Sequence, residues 1–325
     1  MQPFVYTRAT DLGAALAALR DQPGAAPIAG GTELVNWMKE GIASPAVLVD
    51  INALPGLDGI EATADGLHLG ALARMSDVAA HPDVQQQYPA IAEALLASAS
   101  TQLRNMASMG GNLLQRTRCP YFRAEVDLPC NKRRPGSGCA ALGGQDRGMA
   151  IFGWSEQCVA TYPSDVAVAL AALEATVHTT QRTIPLLELY RSPADGPERD
   201  HVLEHGELIV GISVPASPSA RHSRYLKVRE RASYEFALVS AAVGLELDER
   251  QRIRTARLAL GGVAHRPWRL PLAEQALVGA SPQDAREVRE RLDAAFAEAR
   301  PRQHNGFKIE LGLRTVVRTI QMAGT

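Results

Sequence analysis

The sequence predicts an α+β chain in two parts, and three observations predict it. The first third alternates strand and helix signals, the stretch "PASPSAR" beginning at Pro215 reads as a linker, and the last third reads as strands followed by polar helices. A chain of 325 residues is long enough for two or three cooperating domains. With 46% apolar and 21% charged residues the composition is that of an ordinary globular protein. A net charge of -1 argues against nucleic acid as a main partner, and no apolar run is long enough to span a membrane.

The elements follow in order. "MQPFVYTRATDLGAALAALRD" reads as a strand and an amphipathic helix capped by Thr10 or Asp11. It lacks the features of a secretory signal, so the chain is expected to carry no export address of its own. "APIAGGTELVNWMKEG" and "AVLVDIN" form a strand, loop, helix, strand unit. "GLHLGALARMSDVAAH" adds a strand and a helix starting near Ser76, and "AIAEALLASAS" a further helix before the loop "NMASMGGNLLQ". Regular structure pauses from about Arg116 to Cys158. It resumes at "PSDVAVALAALEATVHTT", where Ser164 or Asp165 caps a helix leading into a strand, and "GELIVGISVP" is a strand ended by Pro215. "RYLKVRE", "ALVSAAVGLEL" and "IRTARLALGGVA" are strands, with helices from about Pro271 onward.

All four cysteines lie in the irregular stretch, spaced C-x10-C-x8-C-x18-C from Cys119 through Cys130 and Cys139 to Cys158. Structural zinc favours cysteines two to four residues apart, and disulfides favour small secreted domains. An iron-sulfur cluster, which can take four thiolates from a long loop, fits better, although the spacing leaves zinc, disulfides and free thiols open. Seven basic residues face three acidic ones between Arg116 and Arg147. That excess is expected to lower the thiol pKa values and to offset the charge of a thiolate-bound cluster.

Two glycine loops, at Gly30-Gly31 and at Ser108 to Asn112, place small residues where backbone N–H groups can meet phosphate. Each alone is equally a plain turn, because neither is the G-x-G-x-x-G fingerprint. The pair makes a dinucleotide diphosphate site the better reading. His68, His81, His201 and His265 have no carboxylate or metal-ligand spacing and are read as surface or core residues.

Taken in order, "IAGGTELV", "LGALARMSDVA", "SMGGN", "PSD" and "YLKVRERASYEFALVSAAV" resemble the FAD-binding subunits of molybdenum hydroxylases, the family of xanthine and carbon monoxide dehydrogenases. "LALGGVAHRPWR" is similar to that family's C-terminal domain. The resemblance spans essentially the whole chain. It implies a two-subdomain FAD-binding domain over 1–217, divided into 1–57 and 58–217, then a small C-terminal α+β domain over 218–325 with an antiparallel sheet and helices. Most relatives pass almost directly from the Gly-Gly-Asn loop to the Ser-Asp motif. The stretch at about 116–158 is therefore an insertion, similar to the one in flavin subunits of bacterial periplasmic aldehyde oxidoreductases that hold an extra 4Fe-4S cluster.

By the same resemblance, Pro27, Ile28, Ala29, Gly30, Gly31, Thr32, Glu33 and Leu34 form a first FAD loop, and Ser108, Gly110, Gly111 and Asn112 a second. Met109 is bulkier than the residues common there and should alter the fit. Asp165 would accept from a sugar or ribityl hydroxyl, Ile209 would flank the ring system and Lys227 would donate to FAD. Without the family, Asp165 is a helix cap and Lys227 an exposed strand residue. Tyr234 would lie near the isoalloxazine or serve as a core or interface residue. Cys119, Cys130, Cys139 and Cys158 would be the cluster ligands.

The implied role is that of an electron-transfer subunit in a heterotrimer. A molybdenum-cofactor subunit would oxidise an aldehyde, a 2Fe-2S subunit would relay electrons, and FAD here would pass them to an external acceptor. No catalytic side chain is expected. A thioester reductase or purine dehydrogenase subunit is the alternative within the family, and a zinc-stabilised binding module the alternative outside it. The resemblance implies a periplasmic location reached by co-export with a signal-bearing partner; the sequence alone reads more simply as cytoplasmic.

Overall fold

The computed structural model describes residues 1–325. The chain begins with three short parallel strands and their helices: β1 (Val5–Arg8), α1 (Leu12–Asp21), β2 (Ala25–Ile28), α2 (Leu34–Lys39) and β3 (Val47–Asp50). The sheet order is β1-β3-β2, with Val47 opposite both Val5 and Ala25. Asp11 is the cap of α1, accepting the Ala14 N–H at 2.8 Å. Ala15 and Leu19 of that helix pack with Val49 and Leu54 in a small core.

A second layer follows. β4 (Ile60–Ala62) and β5 (Gly66–Gly70) precede five helices, α3 (Met75–Ala80), α4 (Pro82–Gln87), α5 (Pro89–Ala97), α6 (Thr101–Met106) and α7 (Met109–Leu113). After the cysteine segment come α8 (Asp165–Ala172), β6 (Thr176–Thr179), β7 (Thr183–Pro185) and β8 (Ile209–Pro215), giving an antiparallel sheet ordered β4-β5-β8-β6-β7. Every residue of α8 is buried, as a helix apolar on all sides must be. Its cap is Ser164, whose hydroxyl accepts the Ala167 N–H at 3.1 Å, which leaves the Asp165 carboxylate free for other work.

The C-terminal part starts with α9 (Pro218–Arg221) and an antiparallel meander of β9 (Ser223–Val228), β10 (Val239–Leu247), β11 (Ile253–Gly261) and β12 (Trp268–Arg269). It ends with α10 (Pro271–Ala276), α11 (Ala285–Leu292) and α12 (Phe307–Ala323). β10 is buried on both faces. Val239, Ala241, Val243 and Leu245 join the core with Val316 and Ile320 of α12, while Ala242 joins the core that contains α8. The α+β class read from the sequence is what the chain adopts, and no helix is long and apolar enough to cross a membrane.

The cysteine segment is irregular, with one 3₁₀ turn at Ala140–Leu142 and isolated bridges joining Cys130 to Cys139 and Ser155 to Cys158. Its end is built into the C-terminal part. Ile151 and Phe152 belong to that core, and the Phe152 ring stacks on Trp268 with centroids 5.5 Å apart. The Asp146 carboxylate accepts the backbone N–H groups of Gln303 and His304 at 3.0 and 2.9 Å. Lys308, 1% exposed, donates to the carbonyls of Gly148, Met149 and Gly262 at 3.1, 3.0 and 2.7 Å. Burial pulls its pKa down to about 7, with Arg147 adding to the effect.

Candidate functional site

A cleft of about 520 Å³ is lined by the β2–α2 loop, the α6–α7 turn, Asp165 at the start of α8, residues 201–208 and the β9–β10 connection. On one side, the N–H groups of Gly30, Gly31, Thr32, Glu33 and Leu34 make no hydrogen bond within the protein. Gly31 has φ +69°, a conformation that favours glycine. A Cβ on Gly30 would sit 1.9 Å from the Met106 carbonyl oxygen, so only glycine lets the two loops approach this closely. Because α2 has just six residues, this cradle rests on free backbone donors more than on a helix dipole.

Residues outside both loops hold them together. The Asn52 amide donates to the Ala29 carbonyl at 3.0 Å, and Arg74 donates to the Met106 carbonyl at 2.5 Å and to Asn52 Oδ1 at 2.7 Å. Asn52 in turn donates to Asp50 at 2.7 Å. In the second loop, Ser108 Oγ caps α7 by accepting the Gly111 N–H at 3.3 Å, and Asn112 Oδ1 accepts from Ser164 Oγ at 2.6 Å. The second loop is thus tied to the start of α8.

At the start of α8, Asp165 accepts from Lys227 Nζ at 2.8 Å, from Tyr225 Oη at 2.5 Å and from Ser98 Oγ at 3.1 Å. Lys227 is not an exposed strand residue: its side chain is 3% exposed and also donates to the Ala97 carbonyl at 3.2 Å. Burial and the Asp165 charge push Tyr225 well above the usual phenol range, so it remains a donor to the carboxylate. Pairing fixes both charges in the cleft wall.

The sequence-predicted residues Pro27 to Leu34, Ser108, Gly111, Asn112, Asp165 and Lys227 all line the cleft. Gly110 and Ile209 do not. Gly110 donates to the Ala71 carbonyl at 2.8 Å and lies against Ala71, while Ile209 points into the core and its neighbour Leu208 lines the cleft instead. His201, read from sequence as an ordinary histidine, also lines the cleft. Burial lowers its pKa, with partial opposition from Asp200, so it is neutral at pH 7.

A second, much smaller cavity is lined by Cys119, Cys130, Cys139 and Cys158 together, and none of the four is in a disulfide. As the side chains stand, no three His, Cys, Asp or Glu residues are disposed to hold a metal ion. Burial pushes the Cys119 thiol up to about 12, against hydrogen bonds from the Phe122 and Tyr121 N–H groups. It pushes Cys158 up to about 11, with Lys132 pulling the other way. The expected lowering of thiol pKa values by the basic residues is therefore overturned at these two, because burial dominates at both and only Cys158 has a cation, Lys132, pulling against it.

The basic residues bind carboxylates instead. Arg116 and Lys132 each contact Asp200 at 2.5 Å, Arg118 and Arg123 each contact Glu33 at 2.6 Å, and Arg123 also reaches Glu40 at 2.9 Å. Burial alone would raise the Asp200 carboxyl, yet Lys132 and Arg116 hold it below its usual range. These pairs make the two cavities neighbours: Arg118 and His201 line the cleft, while the adjoining Cys119 and the Asp200 partner Lys132 line the cavity.

Residues 2–217 match the family model described as the FAD binding domain in molybdopterin dehydrogenase, and 224–323 match the CO dehydrogenase flavoprotein C-terminal domain. The chain belongs to the FAD-binding subunits of the molybdenum hydroxylases. It is 48% identical, over 99% of both chains, to the aldehyde oxidoreductase FAD-binding subunit PaoB of Escherichia coli. It is 27% identical to the glyceraldehyde dehydrogenase medium chain of Sulfolobus acidocaldarius, over 85% of this chain and 81% of that one. Quinoline 2-oxidoreductase of Pseudomonas putida shares the fold with a TM-score of 0.76 at 22% identity, covering 99% of this chain and 97% of that one. CO dehydrogenase of Oligotropha carboxidovorans does so with 0.74 at 22% identity, covering 99% and 98%.

As a molybdenum hydroxylase flavin subunit, the chain is part of an oxidoreductase complex that uses FAD. The residues fit that cofactor. Free N–H groups in the first loop suit a diphosphate, and the Asp165 carboxylate and Lys227 ammonium offer an acceptor and a donor for hydroxyl and ring groups.

Proposed function

We propose that the chain is the FAD- and 4Fe-4S-carrying electron-transfer subunit of a heterotrimeric molybdenum aldehyde oxidoreductase acting on aromatic aldehydes. One partner carries the molybdenum cofactor and the other the 2Fe-2S clusters. The observation that carries the aldehyde reading is the 48% identity over nearly the full length of both chains. The grouping of all four cysteines, as free thiols, around one cavity beside the cleft supports the cluster. Cys119, Cys130, Cys139 and Cys158 would be its four thiolate ligands.

FAD held in this cleft would supply the redox chemistry, taking up electrons and passing them on. The chain's own residues hold and orient it: the 30–34 amides take the diphosphate, Asp165 and Lys227 fix polar groups, and Tyr225 and Ser98 keep that carboxylate in place. The complex is exported folded to the periplasm with a signal-bearing partner, and cell fractionation tests that location.

The deciding experiment uses the purified complex. Visible spectra before and after dithionite should show flavin and iron-sulfur bands that bleach, and this chain should contain about four irons. Turnover of aromatic aldehydes should exceed that of aromatic thioesters and purines. Faster turnover of a thioester or a purine assigns the chain to another hydroxylase, and one zinc per colourless chain removes the cluster.

A further inference from the structure

Arg118 directly precedes the first cysteine, yet its side chain lines the FAD cleft. Three features converge on its guanidinium. One terminal nitrogen donates to Glu33 in the first FAD loop at 2.6 Å. Its plane lies 5.0 Å from the centroid of the Phe236 ring. Its Nε is buried and has no partner within the protein.

Phe236 belongs to the 229–238 connection between β9 and β10, which also brings Tyr234 and Glu235 to the cleft. Tyr234 and Phe236 are 56% and 46% exposed, an unusual state for two aromatic side chains that face a cofactor cleft. Tyr234 also has φ +54°, a conformation that costs an aromatic residue energy and persists only where surroundings enforce it. The contact to Arg118 is the cation–π tie from this connection to the cysteine segment. A buried guanidinium N–H left without an acceptor is costly, and burial already pulls the Arg118 pKa down. FAD, with phosphate oxygens, hydroxyls and ring carbonyls, supplies acceptors in this cleft.

We propose that Arg118 is a positioning residue for FAD contributed by the cysteine segment: its Nε–H donates to the bound cofactor while its guanidinium face seats the 229–238 connection over the cleft. The fold of the cysteine segment thereby sets how tightly FAD is held. The contact rests on the FAD site alone; the link to the cysteines rests also on the cluster reading.

The test uses the assembled complex with Arg118→Ala, Arg118→Lys, Cys119→Ser and the double variant Arg118→Ala with Cys119→Ser. FAD affinity is read by flavin fluorescence on refilling the deflavinated complex, iron by chemical assay, and the 229–238 connection by hydrogen exchange. Arg118→Ala should bind FAD about tenfold more weakly with iron unchanged, as loss of a charge-assisted donor implies. Arg118→Lys keeps a donor but loses the flat stacking surface, so it should hold FAD better than Ala while its 229–238 amides exchange as fast as in Ala. Cys119→Ser should lose iron and weaken FAD by a similar factor, and the double variant should be no weaker than either single one. Wild-type FAD affinity in Arg118→Ala overturns the contact, and additive losses in the double variant overturn the link. Full iron in Cys119→Ser instead removes the cluster reading and leaves the Arg118→Ala result to decide the contact.

Discussion

The FAD cleft offers about 520 Å³ walled by loops whose amides are free, whereas the four-cysteine cavity beside it holds about 10 Å³, near the least that takes one water. The cleft is shaped by close backbone approach at Gly30 and by buried pairs such as Asp165–Lys227, all complete in the folded chain. The cavity is shaped by thiols that burial keeps protonated at Cys119 and Cys158. A preformed cleft can take its cofactor after folding. A cluster of the proposed kind must be installed as its segment folds, with protons leaving as iron arrives.

Two variants break this contrast in opposite directions, and theirs are the largest effects. Cys130→Ser should strip essentially all iron from this chain while its cleft still refills when FAD is added in excess; iron assay and flavin fluorescence read the two. Gly30→Ala should do the reverse, because its Cβ would overlap the Met106 carbonyl at 1.9 Å. Overpacking of that kind lowers FAD affinity by about a hundredfold, with iron unchanged. If either variant loses both cofactors irreversibly, the two sites are one folding unit and the contrast fails.

The next effect concerns the strut between the cysteine segment and α12. Lys308→Met fills similar space but leaves the carbonyls of Gly148, Met149 and Gly262 without their donor. A loss of about 2–3 kcal/mol in urea unfolding is expected. Unchanged stability would show that water takes over those carbonyls.

The smallest effect is a pH slope. Burial holds His265 near a pKa of about 4, below its usual 6.5, so the folded chain keeps it neutral where the unfolded chain takes up a proton. Stability tied to this group is therefore present above pH 6.5 and is lost as pH falls towards 4. His265→Gln should flatten the fall in melting temperature across that window, and an unchanged slope assigns the loss to other groups.

The β2, β3 and β5 strands, helices α1, α5 and α8, and the C-terminal meander were legible because apolar periodicity and caps are local signals. Ile209, expected from the resemblance to flank the ring system, packs in the core, and its neighbour Leu208 lines the cleft; no local sequence signal separates the two. The ties made by Asn52, Arg74 and Arg118 had no sequence signal, because each joins positions more than twenty residues apart that only the fold brings together. Arg118 meets Glu33 across 85 positions, so its charge was visible and its partner was not. The basic run was read as a field around thiols for the same reason.

Lys308 lies 150 positions after Cys158, since 308 − 158 = 150, and Asn305, which donates to the Met149 and Ala150 carbonyls, lies nearly as far. A ribosome adding ~5–20 residues per second needs on the order of ten to thirty seconds to cross that interval. All four thiols are thus synthesised well before the helix that clamps their segment exists. A protein shortened before Lys308 would present the complete set of cysteines without the donor that holds the Gly148 and Met149 carbonyls of their segment.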